Sequence, residues 1–471
     1  MDANKVTTYG DIQLVAPYEL KTLTNLKIIK KINDHGTIFF TGIISEEEKA
    51  SYIEMTDLKK EIEVKELENN SAVRTLFKGT VTHVEIKAVR DIYYMEVEGI
   101  SHSYEMDITI KSRSFQKSDM SYEELVKKVM SGYEGADSID TASKGKTLEK
   151  FKMQYNETDW QFLKRMASNL NTAVVADSTS LKPKIWFGIP EGEDKGELDN
   201  FHYSIRKNIS NYMNFAQNFI SDIEETDFIY FKVQTDKYFN IGDKLKFKDK
   251  QLYVSETTAF IEDSTLKYDY TLVPKKGLSQ KLILNDELKG LSLEGKVVEV
   301  KANNVKVNLD VDKDQGNSDY CWFLYSTPYA GGGSGGWYCM PEAGDSVKLY
   351  FPSNKEEEAV VINSVRKKDK GGDKIDSPEV KYFRASSGKE AMFDGEGITF
   401  TAKDGVFIKL NGDGGIDITS DGDISVQGGN ISMGAGSVQI TADEKLELMC
   451  SASYIKMDGE THIRGSVVRI R

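Results

Sequence analysis

Apolar and polar positions alternate with period two between Leu14 and about Glu105. Segments 26–32, 37–44 and 93–97 are short and rich in β-branched or aromatic residues. In the last, Tyr93, Met95 and Val97 fall on one side and Tyr94 and Glu96 on the other, as in a half-buried strand. The period then lengthens. Ser121-Tyr122-Glu123-Glu124 is a capping box followed by Leu125, Val126, Val129 and Met130 at helical spacing. Thr158-Asp159-Trp160-Gln161 is a second box, leading Phe162, Leu163, Met166, Ala167 and Leu170 along one face until Asn171. In each box the hydroxyl takes a free amide of the first turn and the Glu or Gln reaches back. Strands resume near Val174, and Ile241-Gly242-Asp243-Lys244-Leu245 reads as a turn entering a strand. The expectation is a β-barrel hub over residues 1–285, with two β-barrel regions around an α+β insertion at about 106–200.

Residues 288–368 read as a separate unit. Segments 297–309 and 347–351 alternate, 360–365 is a further apolar run, and Ala330-Gly331-Gly332-Gly333-Ser334-Gly335-Gly336 lies between them. Some five strands in this length suit a small OB-type barrel. The charged run 366–374 begins a linker, placed at 369–384 and expected to be exposed and flexible.

Beyond it the pattern becomes a repeat. Apolar residues two apart recur about every eight positions, with Gly and Asp-Gly turns between them, as in Asn411-Gly412-Asp413-Gly414-Gly415. The pairs run from Ile398/Phe400 and Val406/Ile408 through Ile416/Ile418, Ile424/Val426, Ile431/Met433, Val438/Ile440, Leu446/Leu448 and Ile455/Met457 to Val468/Ile470. A strand residue advances at most about 3.4 Å, so one unit makes one short strand and cannot wrap a core alone. Three chains, each giving one face of a triangular prism, would bury the pairs and leave no long edge. The expected needle, 385–471, is therefore a triple-stranded trimeric β-helix. Its core comprises Ile398, Ile408, Ile416, Ile418, Ile424, Val426, Ile431, Met433, Val438, Ile440, Leu446, Leu448, Ile455 and Met457. Hairpins in an ordinary sandwich are the plain alternative. A calcium-binding nonapeptide solenoid demands a stricter repeat than this one.

Charge narrows the function. With 61 Lys and Arg against 75 Asp and Glu, the net charge is −14, the wrong sign for neutralising phosphates, and no nucleic acid partner is expected. No run of about 18 apolar residues suggests a membrane helix, and the first residues carry no readable signal peptide. Cys321, Cys339 and Cys450 are too few for a disulfide scaffold and are read as reduced, in a protein made in the cytoplasm.

Arg113-Ser114-Phe115-Gln116, then Gln154-Tyr155-Asn156-Glu157-Thr158-Asp159-Trp160-Gln161-Phe162-Leu163-Lys164-Arg165-Met166, resembles the hub region of VgrG spikes and phage late-control proteins. The family hub motif falls on Gln154, Tyr155, Glu157, Asp159, Phe162 and Arg165. Cys321-Trp322-Phe323, the glycine loop and Pro341-Glu342-Ala343-Gly344-Asp345 are similar to the OB-fold of the same spikes. The resemblance covers nearly the whole chain. It implies a homotrimer whose hub fits the end of an inner tube and meets baseplate components, and whose needle points away. A tip protein or effector cargo and, transiently, a target cell envelope are implied partners. The particle would be expelled on contraction. Two departures remove the usual places for an enzyme: only a short stretch separates barrel from needle, and no effector domain is read after the last repeat.

Other chemistry is sparse. His35, His83, His102, His202 and His462 show no metal-ligand spacing. His462 is the one weak tip candidate for a metal, an outward solvated histidine being the plainer reading. Glu46-Glu47-Glu48 and Glu356-Glu357-Glu358 read as solvated turns rather than paired catalytic carboxylates. The glycine loop lacks the Gly-Lys-Ser/Thr ending of a phosphate loop. No catalytic residue and no cofactor are expected. The reading is a non-enzymatic spike, with a spike-borne wall hydrolase or a receptor-binding fibre as alternatives.

Overall fold

The computed structural model describes residues 7–57, 60–69, 71–199, 202–218, 222–312, 319–331, 335–364 and 377–469 of the chain. Gly332, Gly333 and Ser334 of the glycine loop, the charged run 366–374 and Ile470 lie outside the described residues. The protein is mainly β, and contacts divide it into two units, 1–367 and 368–471.

The first unit is built on a 12-stranded sheet. Along Thr37–Ile44 burial alternates without a slip, Ile38, Phe40 and Ile44 facing in. The two expected β regions form one hydrogen-bonded ladder. Strand Thr22–Lys31 pairs antiparallel with Lys250–Glu262, from Lys27 opposite Phe260 to Lys31 opposite Glu256. Leu26, Phe40, Phe77 and Val97 from one side share a core with Val254, Tyr268 and Leu272 from the other. Local alternation identifies each strand; this long-range pairing it cannot specify. A short helix, α1 (Lys49–Met55), packs Tyr52 against the same core.

A helical layer lies between the two halves of that sheet in sequence. α2 (Tyr122–Met130) and α3 (Asp159–Ser168) begin at the expected boxes. Ser121 Oγ accepts from the Glu124 amide at 3.1 Å while Glu124 Oε2 accepts from the Ser121 amide at 2.8 Å. Thr158 and Gln161 exchange the same pair at 3.1 and 3.2 Å. Past α3, Asn171 adopts φ 53°, a left-handed residue that Asn tolerates just beyond a helix. The apolar faces meet Val174, Ile185 and Phe187 in a second core. A fourth helix, α4 (Ile209–Asn218), was, like α1, not expected, although Asn208 Oδ1 accepts the Asn211 amide at 3.1 Å as a readable cap.

Residues 292–364 form a five-stranded sheet. A parallel bridge between Tyr325 and Val361 links its first and last strands, the Ser326 amide donating to the Val361 carbonyl at 2.8 Å. Val305, Val307, Val347, Leu349 and Phe351 fill the interior together with Phe151 and Met153, which come from the helical layer. Phe151 sits edge-on to Phe323 with ring centroids 5.1 Å apart.

The second unit contains two antiparallel meanders. One runs from Lys381–Arg384 to Ile416–Thr419 with five strands, the other has three, Leu446–Cys450, Ser453–Met457 and Thr461–Arg464. Pairing aligns Phe400, Ile408 and Ile418 across the first sheet and Ile398, Leu410 and Ile416 beside them. Leu448, Ile455 and Ile463 align in the second. Each sheet thus has one apolar face. One chain supplies these faces but not the closed β-helix expected of the needle. Between the meanders no strand forms among the described residues, so Ile424, Val426, Ile431, Met433, Val438 and Ile440 have no ladder partner and stay exposed.

Candidate functional site

Strands Ile110–Phe115 and Lys152–Thr158 pair antiparallel with Arg113 opposite Gln154, so the two halves of the hub motif lie side by side. Two buried polar clusters follow from this register.

The first surrounds Asp159, whose side chain is fully buried at the start of α3. Oδ1 accepts from Arg113 Nη2 at 2.5 Å and Gln154 Nε2 at 3.0 Å; Oδ2 accepts from Lys111 Nζ at 2.6 Å and Tyr133 Oη at 2.7 Å. Arg113 Nε also donates to Gln154 Oε1 at 2.8 Å. A carboxylate here suits the N-terminus of a helix, and its two cations offset the cost of burial. Burial, reinforced by the Asp159 carboxylate, raises the Tyr133 pKa and keeps the phenol a donor.

The second surrounds Arg165, 2% exposed. Nε and Nη2 donate to the two Glu157 oxygens at 2.8 and 2.9 Å, Nη1 to Glu356 Oε1 at 2.9 Å, and Nη2 to the Met153 carbonyl at 2.5 Å. Burial alone would lower the Arg165 pKa; Glu356 and Glu157 outweigh it and hold the guanidinium protonated above its ordinary value. Glu356 also takes the Met153 amide at 2.8 Å and faces Lys152 Nζ at 3.4 Å. Glu356 belongs to the small barrel, so Glu157, Arg165 and Glu356 form a clasp between barrel and helical layer. This corrects the reading of Glu356-Glu357-Glu358 as a solvated run: Glu357 and Glu358 are exposed, but Glu356 is 6% exposed because Arg165 provides an internal counter-charge.

Further ties run beside the clasp. Asp312 of the barrel accepts the Ser114 amide at 2.7 Å and the Ser114 hydroxyl. Gln116 Nε2 donates to the Val307 carbonyl at 3.2 Å, and the Cys321 amide donates to Gln116 Oε1 at 3.3 Å. Burial pushes the Cys321 thiol up to about 11. Phe162 stacks on Phe115 at 5.2 Å, and the Asn285 side chain donates to the Tyr155 carbonyl at 2.7 Å. The structure therefore gathers the six motif residues at one junction. It adds Lys111, Lys152, Asp312 and Glu356, whose partners lie too far along the chain for any local signal to reveal.

Other candidates are placed differently. His462 lies opposite Lys456, on the polar face of its sheet, with Nε2 3.7 Å from Asp458 Oδ1. No group of three or more His, Cys, Asp or Glu among the described residues could hold a metal. Ser103, His35 and Asp107 line up like a hydrolytic triad, Ser103 Oγ to His35 Nδ1 at 2.8 Å and His35 Nε2 to Asp107 at 3.5 Å. Ser103 is fully buried and also bonded to Ser101, so this serine is packed rather than presented to a substrate. No helix among the described residues is long and apolar enough to cross a membrane.

Residues 293–365 match the type VI secretion system/phage-baseplate injector OB domain. No curated protein matches the chain in sequence. Among solved structures, an E. coli component of the type VI secretion system is similar over 75% of this chain and 100% of its own, with TM-score 0.53 and 14% identity. A chain of the half-lidded Francisella PdpA–VgrG complex is similar over 87% of this chain and 88% of its own, with TM-score 0.55 and 10% identity. A chain of the lidless PdpA–VgrG complex gives 87%, 98%, 0.55 and 9%. Residues 293–365 are thus an injector-type OB domain, set in a larger β architecture shared with these structures. Its fold is VgrG-like.

Proposed function

We propose that this protein is the structural central spike of a contractile, phage-tail-like injection machine, acting as a homotrimer. One observation carries the reading: in a chain with an injector OB domain, the second unit exposes whole apolar sheet faces, with Ile416 68%, Ile418 60% and Leu448 53% exposed. Contiguous apolar surface of this kind marks an interface, and three copies turned face to face form the prism that the repeat calls for. The hub of residues 1–285 meets the inner tube and baseplate, and 385–471 forms the needle. A needle of interlocked strands perforates an envelope by thrust and needs no turnover. A tip protein or effector cargo is a further partner, as the PdpA–VgrG pairing suggests by analogy. The spike is made in the cytoplasm, built into the particle and expelled on contraction.

Sedimentation of the full-length protein tests the assembly. The expected species is a trimer of roughly three times 52.9 kDa, whereas a monodisperse monomer at micromolar concentration overturns the needle. Peptidoglycan turnover abolished by one carboxylate substitution would favour the hydrolase instead.

A further inference from the structure

Strand Thr22–Lys31 carries Leu26, Ile28 and Lys30 on its inward side, so a lysine continues an apolar stripe into the first core. Lys30 lies opposite Thr257 where the two halves of the large sheet join, and the next inward pair is Ile28 opposite Ala259, itself opposite Tyr268. The side chains of Lys30, Thr257 and Tyr268 line one narrow cavity of about 20 Å³, with Ile28, Leu76 and Asn240 around them.

Two of these groups are chemically incomplete. Thr257 is 4% and Tyr268 2% exposed, and neither Thr257 Oγ1 nor Tyr268 Oη has a hydrogen-bond partner among the described residues. The Arg74 guanidinium acts on Tyr268 through its charge and as a weak side-chain donor, short of the geometry that would satisfy Oη. A buried hydroxyl without a partner carries its full desolvation penalty, and two orphans on one cavity wall have a common remedy. A water needs roughly 10–15 Å³ and two to four polar partners; the cavity offers the volume and three partners.

We propose that this cavity is a built water site, in which one ordered water joins Lys30 Nζ, Thr257 Oγ1 and Tyr268 Oη across the seam of the sheet. Its oxygen accepts from the Lys30 ammonium, and it exchanges hydrogen bonds with the two hydroxyls. The water completes the polar groups that the strand pairing leaves facing an apolar interior. It thereby fastens a ladder that joins the two β regions. Lys30 also lines an outer pocket with Asp177 and Trp186, which gives solvent a route to the site.

A high-resolution structure of the full-length protein tests this directly. Density for one water within hydrogen-bond reach of all three groups is expected, and a cavity without it overturns the proposal. Thr257→Val gives an independent sign. If the water is present, the variant strips it of a partner and the melting temperature falls by about 2–4 °C. If the cavity is dry, it removes an orphaned hydroxyl and the melting temperature holds or rises, which overturns the site. Thr257→Ser, which keeps the hydroxyl, should keep both the density and the wild-type melting temperature.

Discussion

The two units use the same alternation of apolar and polar residues and end in opposite states. In residues 1–367 the apolar positions close into three buried clusters, so that Phe40, Phe162 and Phe351 are fully covered. In the second unit no described residue is buried, although Phe400, Ile408 and Ile418 stand in register on one face. Period two thus dictates a strand in both places, while a core requires a second layer. The first unit folds that layer from its own chain, through pairings such as Lys27 opposite Phe260. The second has no such layer among its described residues, and the proposed trimer would supply it from other copies of the chain.

The sharpest way to break this contrast is to charge the apolar face. Ile408→Asp sets three carboxylates together at the proposed axis, where burial and like charge both oppose ionisation; the trimer should be lost on light scattering. Lys409→Gln, one residue on and facing the other way, should leave it intact. Equal loss would refute the assigned face.

Inside the first unit the largest effect belongs to the clasp. Arg165→Met leaves Glu356 buried with Lys152 and the Met153 amide but without its guanidinium, and breaking a buried pair typically costs about 3–5 kcal/mol. The denaturation midpoint of this unit should fall accordingly, whereas replacing both partners, Arg165→Met with Glu356→Leu, should cost less than the sum of the single changes. Strict additivity would show that the two do not act as a pair.

A smaller effect comes from Lys30, whose pKa burial lowers from 10.5 to about 8, Asp177 opposing the shift and Arg74 adding to it. Below about pH 8 folded and unfolded chains both hold the proton, and its burial cost is fully present. Above that the folded state releases it first, so stability contributed at this residue rises towards pH 10.5. Compared with Lys30→Met, the wild type should gain in melting temperature as pH goes from about 7 to about 9.5. A constant difference would refute the shift. Smallest is Ser121→Ala at the start of α2, expected to cost about 1 kcal/mol and to leave trimer mass unchanged.

What the sequence made legible divides along the same physical line. Ser121 with Glu124 and Thr158 with Gln161 were readable because a cap is completed within three residues. The strands were readable because alternation is local. The hub motif was recognisable by wording, but its work was not, since Arg165 finds Glu356 and Ser114 finds Asp312 across 191 and 198 residues. Glu356 was misread for that reason: three consecutive glutamates look solvated until a buried arginine is placed beside one of them. Lys30 escaped notice because a single lysine in a strand does not announce which way it points. α1 was missed because Glu48 at its start makes no side-chain cap bond, and α4 was missed despite Asn208, a cap without the reciprocal partner that marks α2 and α3.

Phe151 and Met153 belong by sequence to the helical layer and by packing to the interior of the small barrel. The barrel is therefore not a detachable cassette. A chimera joined at residue 286 would import a barrel lacking part of its own filling and leave behind two bare side chains and a guanidinium without Glu356. Transplantation should succeed only when strand Lys152–Thr158, α3 and the barrel travel together, which makes the heritable module of this fold a set of segments separated in sequence rather than a stretch of chain.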